Sequence, residues 1–308
     1  MRIFVAGSSG ALGRRLVAQL VAEGHDVVGT ATTPATLLRV RGLGAEAIQL
    51  DLLDAGAVRA AVMAAKPDAV VHQATALGNA RFGRGGLDRT FALTNRLRTE
   101  GTDALVAAAV AAGVRRIVAQ SFAPYRYART GGPVKTEDDP LDERHGATSR
   151  ETYAAMRHLE EVVMAAGGVA LRYGGFYGAE NDGLVGPVRR RMFPLIGDGN
   201  GMMSFIHLDD AAAATVLALG HDGPAIYNIV DDDPAPVREW LPVLATALGA
   251  KPPRRVPTWL ARLVAGEDAV TMGTDARGAS NARAKRELGW VLRFPSWRQG
   301  FAAAYGRT

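Results

Sequence analysis

The chain predicts an α/β fold: a doubly wound parallel sheet followed by a smaller C-terminal lobe. Three observations carry this. Short apolar runs alternate with segments of helical spacing through the first 175 residues, the pattern of successive βαβ units. A glycine-rich turn, Gly7-Ser8-Ser9-Gly10-Ala11-Leu12-Gly13, stands between the first run and the first helical segment, where such turns cradle phosphate. Past Gly175 the alternation gives way to stretches rich in Gly, Pro and Met. The expected organisation is a Rossmann-type NAD(P)-binding domain over 1–175, its sheet completed by parts of 204–232, and a substrate-binding lobe built mainly from 176–308.

Taken in order, "RIFVAG" (2–7) is a strand and "ALGRRLVAQLVAEG" a helix ending at Gly24, since apolar residues recur there at helical intervals and glycine stops it. "HDVVGT" (25–30) is the second strand, "EAIQLDL" (46–52) the third, and "AGAVRAAVMAA" the helix after it. "DAVVHQAT" (68–75) is the fourth strand, "NRLRTEGTDALVAAAVAAG" (95–113) one long helix and "RRIVAQS" (115–121) the fifth strand. A polar loop leads to the helix holding Tyr153 and then to the strand "VALRYGG" (169–175). Beyond it, "IHLDDAAAATVLAL" runs from a strand end into a helix and "AIYNIV" returns as a strand.

Composition narrows the function. The net charge is +5, but only four of the cations are lysines, and the densest cluster, Arg189-Arg190-Arg191, has no interleaved aromatics, so nucleic acid is not an expected partner. The longest apolar stretches fall short of the ~18 residues that span a bilayer, no signal-peptide pattern opens the chain, and a cytoplasmic protein with no membrane partner is expected. Cysteine is absent, which excludes disulfides, thiolate catalysis and cysteine-ligated zinc. The histidines at 25, 72, 145, 158, 207 and 221 lack ligand spacing, and no metal site is expected.

In the glycine turn, Gly7, Gly10 and Gly13 allow a pyrophosphate to approach the backbone N–H groups of Ser9, Ala11 and Leu12 at the helix N-terminus, where the dipole favours anions. NAD sites place Asp or Glu about 20 residues on, against the ribose 2′-hydroxyl. Here Thr30, Thr32 and Thr33 occupy that neighbourhood and Arg39 and Arg41 follow, which leans from NAD towards NADP.

These residues resemble the extended short-chain dehydrogenase/reductase superfamily, in its NAD(P)-dependent epimerase/dehydratase branch, over nearly the whole chain. Besides the Gly7/Gly10/Gly13 loop, "DLLD" is similar to the family's adenine-contacting segment, implying Asp51 and Leu52. "HQATAL" resembles the stretch along the cofactor, implying Ala74 and Thr75. "QSFAPY" resembles the catalytic Ser/Thr segment, implying Ser121, and "TEDDPL" the acidic loop before the catalytic helix. "LRYGGFYG" and "SFIHLDD" fit the segments flanking nicotinamide and substrate. The family's Tyr-x-x-x-Lys becomes Tyr153 followed by Arg157. An arginine there can still favour phenolate by charge and bond ribose hydroxyls, but it cannot relay a proton.

The resemblance implies hydride transfer between nicotinamide and a carbonyl or secondary alcohol of a small organic substrate. Tyr153 would be acid/base, Ser121 would hold the substrate oxygen, and Arg157 would orient ribose and tune Tyr153. A nucleotide-sugar epimerase or dehydratase is the alternative enzyme; a non-catalytic dinucleotide-binding regulator or scaffold is the alternative outside enzymes, with Arg157 merely paired to Glu160 or Glu161. Gly175 stands where sugar-nucleotide epimerases carry a diphosphate-binding asparagine. Arg189, Arg190 and Arg191 could meet a diphosphate or form a solvated turn; Phe176, Tyr177, Met192, Phe193, Met202 and Met203 could line an apolar pocket. His207 before Asp209 and Asp210 could touch substrate, but a turn with an Asp capping the next helix is the favoured reading; "DDDP" (231–234) invites a magnesium reading, but a solvated turn is expected. The family further implies a homodimer.

Overall fold

The structure, a computed structural model, describes residues 1–79, 86–123, 126–144, 146–178 and 183–306. In the first half, β1 (Arg2–Ala6), α1 (Ala11–Ala22), β2 (Asp26–Ala31), α2 (Pro34–Arg41), β3 (Glu46–Gln49), α3 (Ala55–Ala65) and β4 (Ala69–His72) alternate strictly. Two short helices, α4 (Gly86–Thr90) and α5 (Ala92–Arg96), then lead through a π-helical turn, Leu97–Gly101, into α6 (Thr102–Ala111). β5 (Arg116–Phe122), β6 (Val134–Lys135), α7 (Arg150–Ala165) and β7 (Val169–Tyr173) follow.

The second half contributes β8 (Gly175–Tyr177), α8 (Val185–Arg189), β9 (Leu195–Ile196), β10 (Met202–Met203), β11 (Phe205–His207), α9 (Leu208–Ala218) and β12 (Ala225–Ile229). The last elements are β13 (Ala235–Pro236), α10 (Val237–Ala247), β14 (Arg255–Val256), α11 (Thr258–Thr274), β15 (Gly278–Ala279), α12 (Ala282–Leu288) and α13 (Trp297–Tyr305).

Seven parallel strands form the central sheet in the order β12-β7-β5-β4-β1-β2-β3. Its strands are apolar on both faces because both are covered by helices. Ile3 and Val5 join Val71, Val118 and Leu171 under α1 and α9. Phe4 joins Val70 and Ile117 on the opposite face, under α3, α6 and α7. Each such side chain stabilises the fold by about 1.5–3 kcal/mol, so these two layers fix where the carboxyl ends of the strands meet. The lobe has its own core, with Tyr177, Phe205, Trp240, Trp297 and Phe301 packed largely edge to face.

The long helix expected over 95–113 is interrupted. The π-helical turn carries both Arg98 and Gly101 to buried positions, and such turns concentrate at functional sites. Two further expectations are corrected. The helix after His207 is capped by the histidine itself, whose Nδ1 accepts the Asp209 N–H at 3.1 Å; Asp209 instead pairs with Arg15. The "DDDP" stretch is no solvated turn, because Asp231 is fully buried and accepts the Trp297 N–H at 2.8 Å. Among the described residues, no helix is long and apolar enough to cross a membrane.

Candidate active site

At the carboxyl end of β1, Gly7 adopts φ +84°, and a side chain there would strike Ala74 at 2.6 Å. A side chain at Gly13 would meet the Gly7 carbonyl at 2.2 Å. Glycine is therefore required twice for the loop to fold against β4 and start α1. At Gly10, by contrast, the nearest atom to an added Cβ is the Gly7 carbonyl at 3.4 Å. No side chain caps α1 at its N-cap, Gly10, so the first N–H groups of the helix are left without a side-chain acceptor, as an anion-binding helix N-terminus requires.

Two of the segments expected to flank a dinucleotide, those of Thr30 and Ala74, meet this loop. The Thr30 hydroxyl accepts the Gly7 N–H at 3.2 Å, and Ser8 donates to the Thr30 carbonyl at 2.8 Å. Thr30 is thus a buried brace of the glycine loop; Thr32 and Thr33 are the exposed residues at the end of β2. Arg39 and Arg41 lie exposed in the last turn of α2. Asp51 is exposed at the end of β3 with Leu52 buried beside it. His72, pulled down to about 4 by burial, is neutral. Its Nδ1 accepts the Ala74 N–H while Nε2 donates to the Leu97 carbonyl, which ties the Ala74–Thr75 segment to the π-helical turn.

α7 is clamped at its start by two carboxylates from elsewhere. Asp88 accepts from the Glu151 and Thr152 N–H groups, and Asp268 from Gly146, Thr148 and Ser149. Tyr153, half-buried, lies one turn in. Burial raises its phenol above the ordinary value; Asp268 adds to this, and Arg126 opposes it. Arg157 is on the exposed edge of the same helix and makes no ion pair with Glu160, Glu161 or any other described residue.

Ser121 is fully buried at the end of β5. Its hydroxyl donates to Glu160 Oε1 at 2.5 Å and accepts from Arg126 at 3.0 Å. The expected oxygen-holding hydroxyl is therefore committed to an ion network that the sequence reading missed. Glu160 is bonded by Arg126 and, at 3.0 and 2.8 Å, by Arg172; Arg172 also donates to Tyr127, which donates to Asn228. Burial, the largest influence, would raise the Glu160 carboxyl, but Arg126 and Arg172 outweigh it and hold it at about 2. The legible signal was Arg172 itself, a charge inside an otherwise apolar central strand, which requires a buried partner.

The other substrate candidates separate. Tyr177, Phe193 and Met203 belong to or pack against the lobe core, Phe176 packs on Tyr173, and Met192 is exposed. Arg189 and Arg190 are exposed, and Arg191 donates to the Pro252 carbonyl. Pro124 and Tyr125 of the serine segment, His145, and 179–182 lie outside the described residues. Among the described residues no cluster of His, Asp and Glu could hold a metal.

A glycine loop at a parallel-sheet edge, with a tyrosine-bearing helix beside the fifth strand, defines a nicotinamide-dinucleotide enzyme. Residues 3–230 match the NAD dependent epimerase/dehydratase family, and the chain belongs to it. It is 43% identical to a 3-diazoavenalumate denitrifying reductase of Streptomyces sp., over 97% of this chain and 99% of that one. It is 33% identical to a 2-alkyl-3-oxoalkanoate reductase of Stenotrophomonas maltophilia, over 81% and 76%. In fold it is similar to UDP-glucose 4-epimerase of Thermotoga maritima, with a TM-score of 0.77 at 19% identity, covering 99% and 97%. The chain is an NAD(P)-dependent enzyme of the oxidoreductase type.

Proposed function

We propose that this enzyme is a reductase that delivers hydride to a carbon whose reduction needs no proton from the protein, the diazo-bearing carbon of a small organic acid being the acceptor that fits best. The supporting observation is the dispersal of the family's proton relay. Ser121 donates its proton to Glu160, and Arg157 cannot give one up. The Tyr153 phenol is raised by its surroundings, away from the lowered value a proton-exchanging tyrosine needs. The nicotinamide cofactor supplies hydride; NADPH is the proposed donor, because no carboxylate stands at Thr32 and Thr33 to repel a 2′-phosphate.

Reduction of a diazonium carbon forms one C–H bond from the hydride pair and breaks the C–N bond, whose electrons leave with N2. No proton is consumed. The protein's part is then to hold the acceptor carbon, exclude water and stabilise charge. Gly7, Gly10, Gly13, Ala11 and Leu12 would hold the pyrophosphate, Asp51 and Leu52 the adenine end, Ala74 and Thr75 the ribose side, and Arg157 the nicotinamide ribose. The relative at 43% identity, named for denitrifying reduction of a diazo acid anion, supports the same chemistry.

Carbonyl reduction is the second reading, favoured by the retained Tyr153 and by the 2-alkyl-3-oxoalkanoate reductase. Epimerisation of a nucleotide sugar is less well supported, because Gly175 has no side chain to take the place of the diphosphate-binding asparagine. The test is incubation with 4-carboxybenzenediazonium and NADPH deuterated at C4. Oxidation of NADPH with one deuterium at C4 of the benzoate product is expected. Oxidation with a β-keto acid, but none above the protein-free rate with the diazonium, would replace this reading with the second.

A further inference from the structure

We propose that Arg98, backed by Arg126, forms an anion-binding floor of the active site that takes the carboxylate of the substrate. This rests on the reading of the substrate as a small organic acid. Arg98 lies on the π-helical turn between β4 and α7, is 96% buried (4% exposed), and its Nε is sealed without a hydrogen-bond partner. Among the described residues it forms no hydrogen bond and no ion pair. A buried guanidinium left in that state is costly, and burial has lowered Arg98 to about 10, where it still carries its charge at neutral pH.

The nearby carboxylate cannot satisfy it. Glu160 accepts five hydrogen bonds, from Ser121, twice from Arg126 and twice from Arg172, which exhausts the roughly four lone-pair sites of a carboxylate. Glu137 is engaged elsewhere, accepting from the Asn228 N–H and facing Arg283. Three buried guanidinium groups therefore share one saturated carboxylate, and Arg98 is the one left over. Of its neighbours only Glu160, whose oxygens are already taken, acts on Arg98 with negative charge; His72 is neutral, and Arg126 repels Arg98.

The position suits a ligand. Arg126 acts electrostatically on both Arg98 and the Tyr153 phenol, so the excess positive charge lies beneath the helix face that carries Tyr153. The π-helical turn is tied through His72 to the Ala74 segment of the cofactor site. An incoming carboxylate would supply the anion the cluster lacks and accept from Arg98 in the two-pronged geometry guanidinium groups favour.

The experiment uses the full chain saturated with NADP+ and two calorimetric probes, 4-hydroxybenzoate and the neutral 4-hydroxybenzamide. The wild type should bind the acid at least about tenfold more tightly, the size of one charged hydrogen bond. Arg98→Met should erase the preference and Arg98→Lys keep part of it, with NADPH affinity unchanged in both. Arg98→Met should also keep or raise the thermal midpoint, since it removes an unpaired buried charge. Equal binding of acid and amide, binding of neither, a preference that survives Arg98→Met, or a marked loss of stability in that variant would each overturn the proposal. A preference for the acid without turnover of the diazonium keeps the anion site and removes the diazo reading; turnover without the preference does the reverse.

Discussion

The carboxylate of Glu160 shows how much one side chain can organise. It joins α7 to β5 through Ser121, to the segment after β5 through Arg126 and to β7 through Arg172. Removing one partner from a buried ion network typically costs about 3–5 kcal/mol, and Glu160→Gln should lose that much in urea unfolding. The pH dependence follows from the same contacts. The folded carboxyl titrates at about 2 against an ordinary 4.5, so its stabilising contribution is complete above pH 4.5 and is lost as the pH falls towards 2. The Gln variant should show a shallower acid decline than the wild type. Arg157 presents the opposite case, an exposed cation with no ion-pair partner among the described residues. Arg157→Ala should weaken NADPH binding about tenfold, the loss of one charged hydrogen bond, with little change in stability, and Arg157→Lys should largely restore binding. A fluorescence titration checks both, and unchanged affinity in the alanine variant would take Arg157 out of the cofactor site.

At the scale of elements, the lobe is docked by three carboxylates, one of them fully buried, that the sequence disguised. "DDDP" has the composition of a solvated turn, yet Asp231 accepts the Trp297 and Asp233 N–H groups beneath α13, Asp232 pairs with Lys285, and Asp233 binds Ser296 and Arg298. Burial, followed by repulsion from Asp233 and Asp232 and partly offset by the two N–H donors, raises Asp231 to about 8. A raised carboxyl keeps its proton in the folded state after the unfolded chain has released it, so stability falls as pH rises from about 4 to 8. Asp231→Asn should flatten that fall in thermal midpoints measured across the window. A decline of equal slope in the variant would assign it to another group. The π-helical turn was equally hidden, because "NRLRTEGTDAL" reads as an uninterrupted amphipathic helix and nothing in its spacing marks the wider turn that carries Arg98 inward.

For the whole molecule, the sheet and its glycine loop were legible because each strand is buried on both faces and each helix on one, leaving a periodic trace. The site was legible where a backbone requirement fixes the residue, as at Gly7 and Gly13. It was not legible where long-range charge decides, as at Ser121, whose partners Arg126 and Glu160 are 5 and 39 positions away. Tyr153, on α7, is the remaining candidate proton donor, and the molecule's chemistry turns on whether it is used. If the acceptor is a diazonium carbon, the electrons of the broken C–N bond leave as N2 and Tyr153→Phe should keep the rate within about threefold, since no proton transfer, worth about 10²–10⁴-fold where it is used, has been removed. If the acceptor is a carbonyl, an alkoxide must be protonated, and the same variant should lose about 10²-fold or more. Rates of NADPH oxidation by the wild type and Tyr153→Phe with 4-carboxybenzenediazonium and with a β-keto acid distinguish the two. A loss of that size with the diazonium would mean that the phenol takes part after all, and that burial beside Asp268 has raised a working acid rather than retired one.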